Sequence, residues 1–259
     1  MKRFILELWR ARALVAALVR RSLAARYRGS VLGVVWTVLN PLLLMAVYTL
    51  VFQFYLRFDG IANYPVFVFC GLLPWIWFTQ ALGESAVSIS GSGHLITKSL
   101  FPAQVLSVVP VISGAINYLL SLPVFILVAL VLGAPLHITS LALIGIIVLQ
   151  LLLLCGLGFL VSALNVRFRD VQHLLGHAFT LLFFLTPIVY PASQVPERFG
   201  WILKVNPVAH LVGMYHDALY VGVLPSLVTW IVAVAMALIA LIIGIATFES
   251  QRESFAEVL

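Results

Sequence analysis

No formally charged residue stands between Arg28 and Arg57. The apolar segment 31–56 fills that gap. At about 1.5 Å per residue, a helix of this length crosses a hydrocarbon core of roughly 30 Å with room to tilt. Five further apolar segments follow, at 66–90, 105–132, 138–164, 172–190 and 224–247. Together they make the chain 63% hydrophobic and only 9% charged, with a mean hydropathy of +1.14. An ordinary soluble domain is about 25% charged. No water-soluble fold of 259 residues could bury so much apolar side chain, so the fold class expected is an all-α polytopic membrane protein.

The net charge of +6 does not point to nucleic acid, because eight of the fifteen Lys and Arg residues lie in the first 28. Residues 3–27 have the pattern of an amphipathic helix. Phe4, Leu8, Ala11, Val15 and Leu18 form an apolar stripe, and Arg3, Glu7, Arg10 and Arg21 occupy another face, with Glu7 in reach of either neighbouring arginine. Such a helix lies in the membrane surface and extends its arginines to lipid phosphates or a partner; the plainer reading is a solvated orientation signal. It is not a cleavable signal peptide, since its basic residues are dispersed and the apolar run behind them is too long. With the N-terminus in the cytoplasm, the six segments leave twelve Lys and Arg residues inside and three outside. That imbalance predicts six spans with both termini cytoplasmic. The division expected is an arm at 1–30, one membrane domain at 31–247 and a tail at 248–259.

Several residues inside the spans are not lipid-like. Pro41, Pro74, Pro110, Pro123 and Pro187 interrupt them, which is tolerated where neighbouring helices satisfy the freed carbonyls. Asn40-Pro41 is the expected bend of the first span. Glu84 either faces the bundle interior or reaches the interface from near its span's end. Cys70 and Cys155 sit in apolar runs and read as small hydrophobes. Tyr48, Phe52 and Tyr55 share a helical face in the first span, and Phe179, Phe183, Thr186 and Tyr190 share one in the fifth. From spacing alone, such stripes are packing surfaces or the wall of a path.

The connections carry little chemistry. The loop from Gly91 to Leu106 has Lys98-Ser99, but both glycines of a phosphate-binding loop are missing. His94 to Phe101 fits a short amphipathic helix closed by Pro102. His173 and His177 are four apart, yet Leu174 replaces the glutamate of a zinc motif and no third ligand is evident. The outer segment 191–222 fits two short helices, near 196–204 and 207–220, as a re-entrant pair. His210, His216 and Asp217 within it raise the alternative of a membrane-embedded glycosyl or acyl transferase, although no nucleophile accompanies them. An ion-coupled transporter would need more buried carboxylates and internal repeats.

Six stretches taken together carry a resemblance. ARYRGSVLGVVWTVLNPLLL, NYPVFVFCGLLPWIWF, ITKSLFPAQVLSVV, ALNVRFRDVQHLL, FFLTPIVYP and LKVNPVAHLV, in this order, resemble the ABC type-2 permeases that export polysaccharide. The O-antigen exporter subunit is the nearest kind, with capsule and teichoic acid permeases as relatives. The resemblance implies a subunit without enzymatic activity in the bacterial inner membrane. It would be a homodimer paired with two copies of a separate ATPase, which holds the ATP and magnesium, so no cofactor belongs to this chain. It further implies that the arm lies near the ATPase and that 92–102 is the coupling helix docking into it, with His94, Leu95, Lys98, Phe101 and Pro102. Tyr48, Phe52, Tyr55, Phe179, Phe183 and Tyr190 would line a glycan channel at the dimer interface, and the outer helix pair would shape its gate. Arg26, Arg28, Arg167 and Arg169 would meet the diphosphate of an undecaprenyl-linked glycan, or else orient the chain and bind phospholipid.

Overall fold

The computed structural model describes residues 2–57, 60–93 and 101–255. Among them α1 (Lys2–Arg10) and α2 (Arg12–Tyr27) form the N-terminal arm. They are nearly one helix, because Ala11 N–H donates to the Glu7 carbonyl (3.0 Å) and the Ala11 carbonyl accepts from Val15 N–H (2.9 Å) across the break. The first span, Gly33–Tyr55, is made of a short 3-10 turn, α3 (Trp36–Tyr48) and a π-helical turn at Thr49–Tyr55. Then come α4 (Tyr64–Ser88), α5 (Gln104–Val131), α6 (Leu143–Arg167), α7 (Val171–Leu185), the short α8 (Gly200–Val205) and α9 (Pro207–His216), and α10 (Leu227–Gln251).

The expectation of six transmembrane helices is wrong. Among the described residues, five helices are long and apolar enough to cross a membrane: Gly33–Tyr55, Tyr64–Ser88, Gln104–Val131, Ile138–Arg167 and Leu227–Gln251. The expected fifth span at 172–190 is instead α7, 15 residues long, or about 22 Å at the helical rise, short of a roughly 30 Å core. Its end has a local cause. The pyrrolidine of Pro187 drives the preceding residue out of the helical region, and Thr186 sits at φ −110, ψ 132. The charge balance that placed both termini in the cytoplasm rested on six crossings and falls with the sixth. The two short helices of the outer segment exist, but nothing supports their being a re-entrant pair: α9 packs on α4 and α10, while α8 contacts α9.

The core is organised on α4, which packs against α3, α5, α6, α7 and α9. Between helices in lipid there is no hydrophobic force, so close contact relies on small residues and interhelical hydrogen bonds. The structure uses both. The Trp77 indole occupies the space over Gly114, and its Nε1 donates to the Val111 carbonyl at 3.0 Å. Ser85 Oγ donates to the Ser107 carbonyl at 3.0 Å, and the Ser107 and Ser162 hydroxyls meet at 2.8 Å, tying α4, α5 and α6. Gln150 Nε2 donates to the Pro74 carbonyl at 2.9 Å. On the other side of α6, Gly156 and Gly244 let α6 and α10 touch backbone to backbone.

The arm is part of this bundle. Phe4 is buried edge-on against Phe159 (5.0 Å) and Phe248 (5.7 Å), joining α1 to α6 and α10. Glu7 reaches Arg252 at 2.8 Å and accepts from Gln104 Nε2 at 3.1 Å, partners 245 and 97 residues away. Val15 and Val19 of α2 pack on Val105 and Val109 of α5. Phe4 and Val15 of the expected apolar stripe thus pack on α5, α6 and α10.

The opposite end is tied by hydroxyls to carbonyls. Tyr64 donates to Val189 (2.6 Å), Thr139 to Ala218 (2.8 Å) and Tyr220 to Ala62. Asn206 caps α9 by accepting from Val208 N–H at 3.0 Å, while its amide nitrogen donates to Thr186 Oγ1 at 2.9 Å. Gly222 turns there at φ +81 against the His137 ring, a conformation and a gap that a side chain would not tolerate.

Candidate functional site

The two aromatic stripes meet. Tyr48 stacks on Phe183 at 5.2 Å and tilts against Phe52 at 6.3 Å. Trp75 of α4 stands edge-on to Phe183 at 5.6 Å, and Phe78 to Phe179 at 6.1 Å. The first span and α7 are thus joined by one aromatic seam backed by α4. Phe183 is 6% exposed and Tyr55 is 73% exposed, so these members do different things. The reason lies in the π-helical turn at Thr49–Tyr55. Its wider winding carries Tyr55 off the face that spacing of four and three assigns to it, and π-turns inside helices recur at functional sites. Tyr190 is half-buried, with its hydroxyl donating to the Phe184 carbonyl at 2.6 Å. Trp75 and Phe78, which complete the seam, were not singled out from the sequence. Neither were Phe54 and Phe184, exposed beside it.

The helix stays α-helical across Asn40-Pro41 through Tyr48. The pair faces a cavity of about 190 Å³ between α3, α4 and α5, where Thr37, Asn40, Gln80, Asn117 and Ser121 converge. Arg26 lines it as well. Its Nη2 pairs with Glu84 Oε1 at 2.5 Å and its Nη1 donates to Gln80 Oε1 at 3.3 Å. Glu84 thus turns to the arm. The pair is partly solvated, so its contribution to stability is small, on the order of 0–1 kcal/mol; its effect is to fix the guanidinium over the cavity. Arg28, Arg167 and Arg169 are exposed, and the Arg167 guanidinium lies over the Phe168 ring at 5.6 Å. Only Arg26 of the four is brought to the cavity.

Of the expected coupling residues, His94, Leu95 and Lys98 lie outside the described residues. Phe101 and Pro102 are half-buried, and Phe101 packs against the Val15–Val19–Val105–Val109 cluster, joining that loop's end to the arm. No group of three or more potential metal ligands occurs among the described residues. His210 contacts the Lys204 carbonyl at 3.0 Å. His216 stacks on Phe67 at 4.2 Å and gives its Nε2 proton to the Phe67 carbonyl at 3.0 Å, not to Asp217. This contact makes it a strut between α9 and α4.

Burial lowers the His216 pKa from 6.5 to about 4, against the opposing effect of the Phe67 hydrogen bond. The unfolded chain therefore takes up this proton first. The stability that comes from keeping this imidazole neutral is full above about pH 6.5 and is lost as pH falls toward about 4. Melting curves in detergent between neutral and acid pH should fall more steeply for the wild type than for His216→Gln. Parallel curves would mean that His216 titrates normally.

A multi-pass helical membrane protein, with a docked amphipathic arm and an aromatic seam, is the class these features define. The family model of the ABC-2 type transporter matches residues 13–220, and the chain belongs to that family. It is 39% identical to the O-antigen export system permease protein RfbA of Myxococcus xanthus over 261 residues, covering 99% of each chain. It is 32% identical to the protein of the same name from Klebsiella pneumoniae, covering 95% of each. The Polysialic acid transport protein KpsM of Escherichia coli is 25% identical, over 93% of this chain and 94% of its own.

Proposed function

We propose that this chain is the permease subunit of an ABC-type exporter that moves a lipid-linked polysaccharide, of the O-antigen or capsule class, across the bacterial inner membrane. Full-length likeness to permeases named for O-antigen export supports the substrate class. The observation that carries the mechanism is the seam. The first span buries only 11% of its most apolar stretch, against 78% for α4, and Phe54, Tyr55 and Phe184 project from its region and from α7. Two copies facing each other across these bare flanks would enclose a path walled by aromatic rings. Sugars offer C–H faces to such rings and hydroxyls to tyrosine, and contacts of this kind tolerate varied sequence.

In this reading Tyr48, Phe52, Phe179 and Phe183 are the backing of the wall, and Tyr55 and Tyr190 stand toward the polymer. Arg26, held by Glu84 and Gln80, receives the carrier's diphosphate, with Arg28, Arg167 and Arg169 drawing it in. A separate ATPase binds the arm and the 92–102 loop. Closure around ATP moves Phe101 and Pro102, and with them α2, whose Arg26 end abuts the first span. The transferase alternative loses its best residue, because His216 is buried in a stack on Phe67, away from any substrate.

Solubilising the membranes and recovering the chain by a tag tests the partnership. An ATP-hydrolysing subunit should come with it at equal stoichiometry, with hydrolysis that depends on this chain. Recovery of the chain alone, under conditions that keep it monodisperse, would count against the exporter.

A further inference from the structure

Beneath the arm runs a groove of about 530 Å³ that the export reading leaves unused. One wall is Leu8, Val15 and Val19 of the arm, and the other is Val108, Ile112 and Ile116 of α5. The latter three recur every fourth residue in the first half of the Gln104–Val131 span, so the slot lies along a helix that crosses the bilayer. Its surface is almost wholly apolar. The rim is cationic: Arg12 and Arg20 border it on the arm, with Ala16 midway between them. Arg12 is steadied by Trp9, lying 5.4 Å from the ring centroid and bonding the Trp9 carbonyl at 3.4 Å. Among the described residues neither arginine is in an ion pair.

We infer that this groove is a site for an anionic phospholipid of the surrounding bilayer, with one acyl chain in the slot and the phosphate at its arginine-bearing rim. The occupant follows from the surroundings. A slot opening along a membrane span is filled from the hydrocarbon, where methyl-lined walls suit an acyl chain. Guanidinium groups at its edge select a phosphate without a compensating choline charge. Trp9 is 68% exposed beside them, and tryptophan favours the headgroup level of a bilayer. Such a lipid would wedge the arm against α5 and make its docking depend on the membrane's anionic fraction. The inference rests on how the arm packs and is independent of the exported substrate.

Native mass spectrometry of the purified full chain, offered phosphatidylglycerol or phosphatidylcholine of the same chain length, reads the site directly. Wild type should retain phosphatidylglycerol in preference. One basic residue near an anionic lipid is worth about fivefold in affinity, so Arg12→Gln with Arg20→Gln should lower retention by about tenfold or more. Ala16→Trp, which fills the slot from an exposed position, should abolish it. Arg10→Gln with Arg21→Gln removes the same charge from the same arm outside the groove and should lower retention clearly less than the groove pair. Size-exclusion profiles and melting temperatures confirm that each variant is folded. Equal binding of the two lipids, equal loss in both arginine pairs, or full retention by Ala16→Trp would each overturn the site.

Discussion

Replacing Gly244 by leucine is expected to eliminate the folded protein. A Cβ at this position would lie 2.0 Å from the Gly156 carbonyl oxygen, and one at Gly156 would lie 2.4 Å from the Leu241 backbone nitrogen. Neither obstacle is a side chain that can rotate away. The helices would have to separate, and α6 against α10 is the most extensive helix pair in the bundle. Over-packing a core costs typically 1–3 kcal/mol when side chains can adjust; a clash between two backbones should cost about 3 kcal/mol or more. Because lipid tails are as apolar as leucine, separated helices gain no return from burying the new side chain. Gly244→Leu should give aggregated or little recovered protein in size-exclusion chromatography. Gly213→Ala, where nothing lies within 4 Å of the added carbon, should elute and melt like wild type. A normal melting profile for Gly244→Leu would mean that the helices do not cross there.

The second large effect separates the two halves of the aromatic seam. Phe183 is buried among Tyr48, Trp75 and Phe184. Phe183→Ala should cost about 3–5 kcal/mol of stability and lower the amount of folded protein. Tyr55 is exposed, and surface truncations usually fall within about 0.5 kcal/mol. Tyr55→Ala should therefore leave abundance and melting unchanged while reducing surface glycan several-fold, and Phe54→Ala should behave alike. The contrast is informative because it is not graded by size: the larger folding defect and the purer transport defect fall on different rings. Normal glycan display with both Tyr55→Ala and Phe54→Ala would leave the seam as helix packing alone.

The sequence made the long apolar helices plain, since uninterrupted runs of this length have few other homes. It was least informative where one local feature overrides periodicity. Pro187 shortens α7 by setting the backbone of Thr186, and the run 172–190 looked continuous because its composition does not change there. The π-helical turn at Thr49–Tyr55 shifts Tyr55 out of a face that regular helical spacing predicts. Pairings across the chain were likewise invisible. Arg26 meets Glu84 from 58 residues away, and Glu7, with arginines nearby in sequence, reaches Arg252. The face of the Phe4, Val15 and Leu18 stripe was legible but its protein contacts were not, because an apolar stripe does not encode whether lipid or protein covers it. Trp75 and Phe78 lay hidden in a segment apolar on every side, where no face stands out.

The most direct measurement is the fate of the glycan when this chain is removed. In a strain lacking only this gene, surface polysaccharide should disappear while the lipid-linked form accumulates inside the cytoplasmic membrane. Both should revert with the wild-type chain, and neither should revert when the proposed ATPase partner cannot hydrolyse ATP. Undiminished surface polysaccharide in the deletion strain, with no lipid-linked intermediate retained, would contradict a role in export.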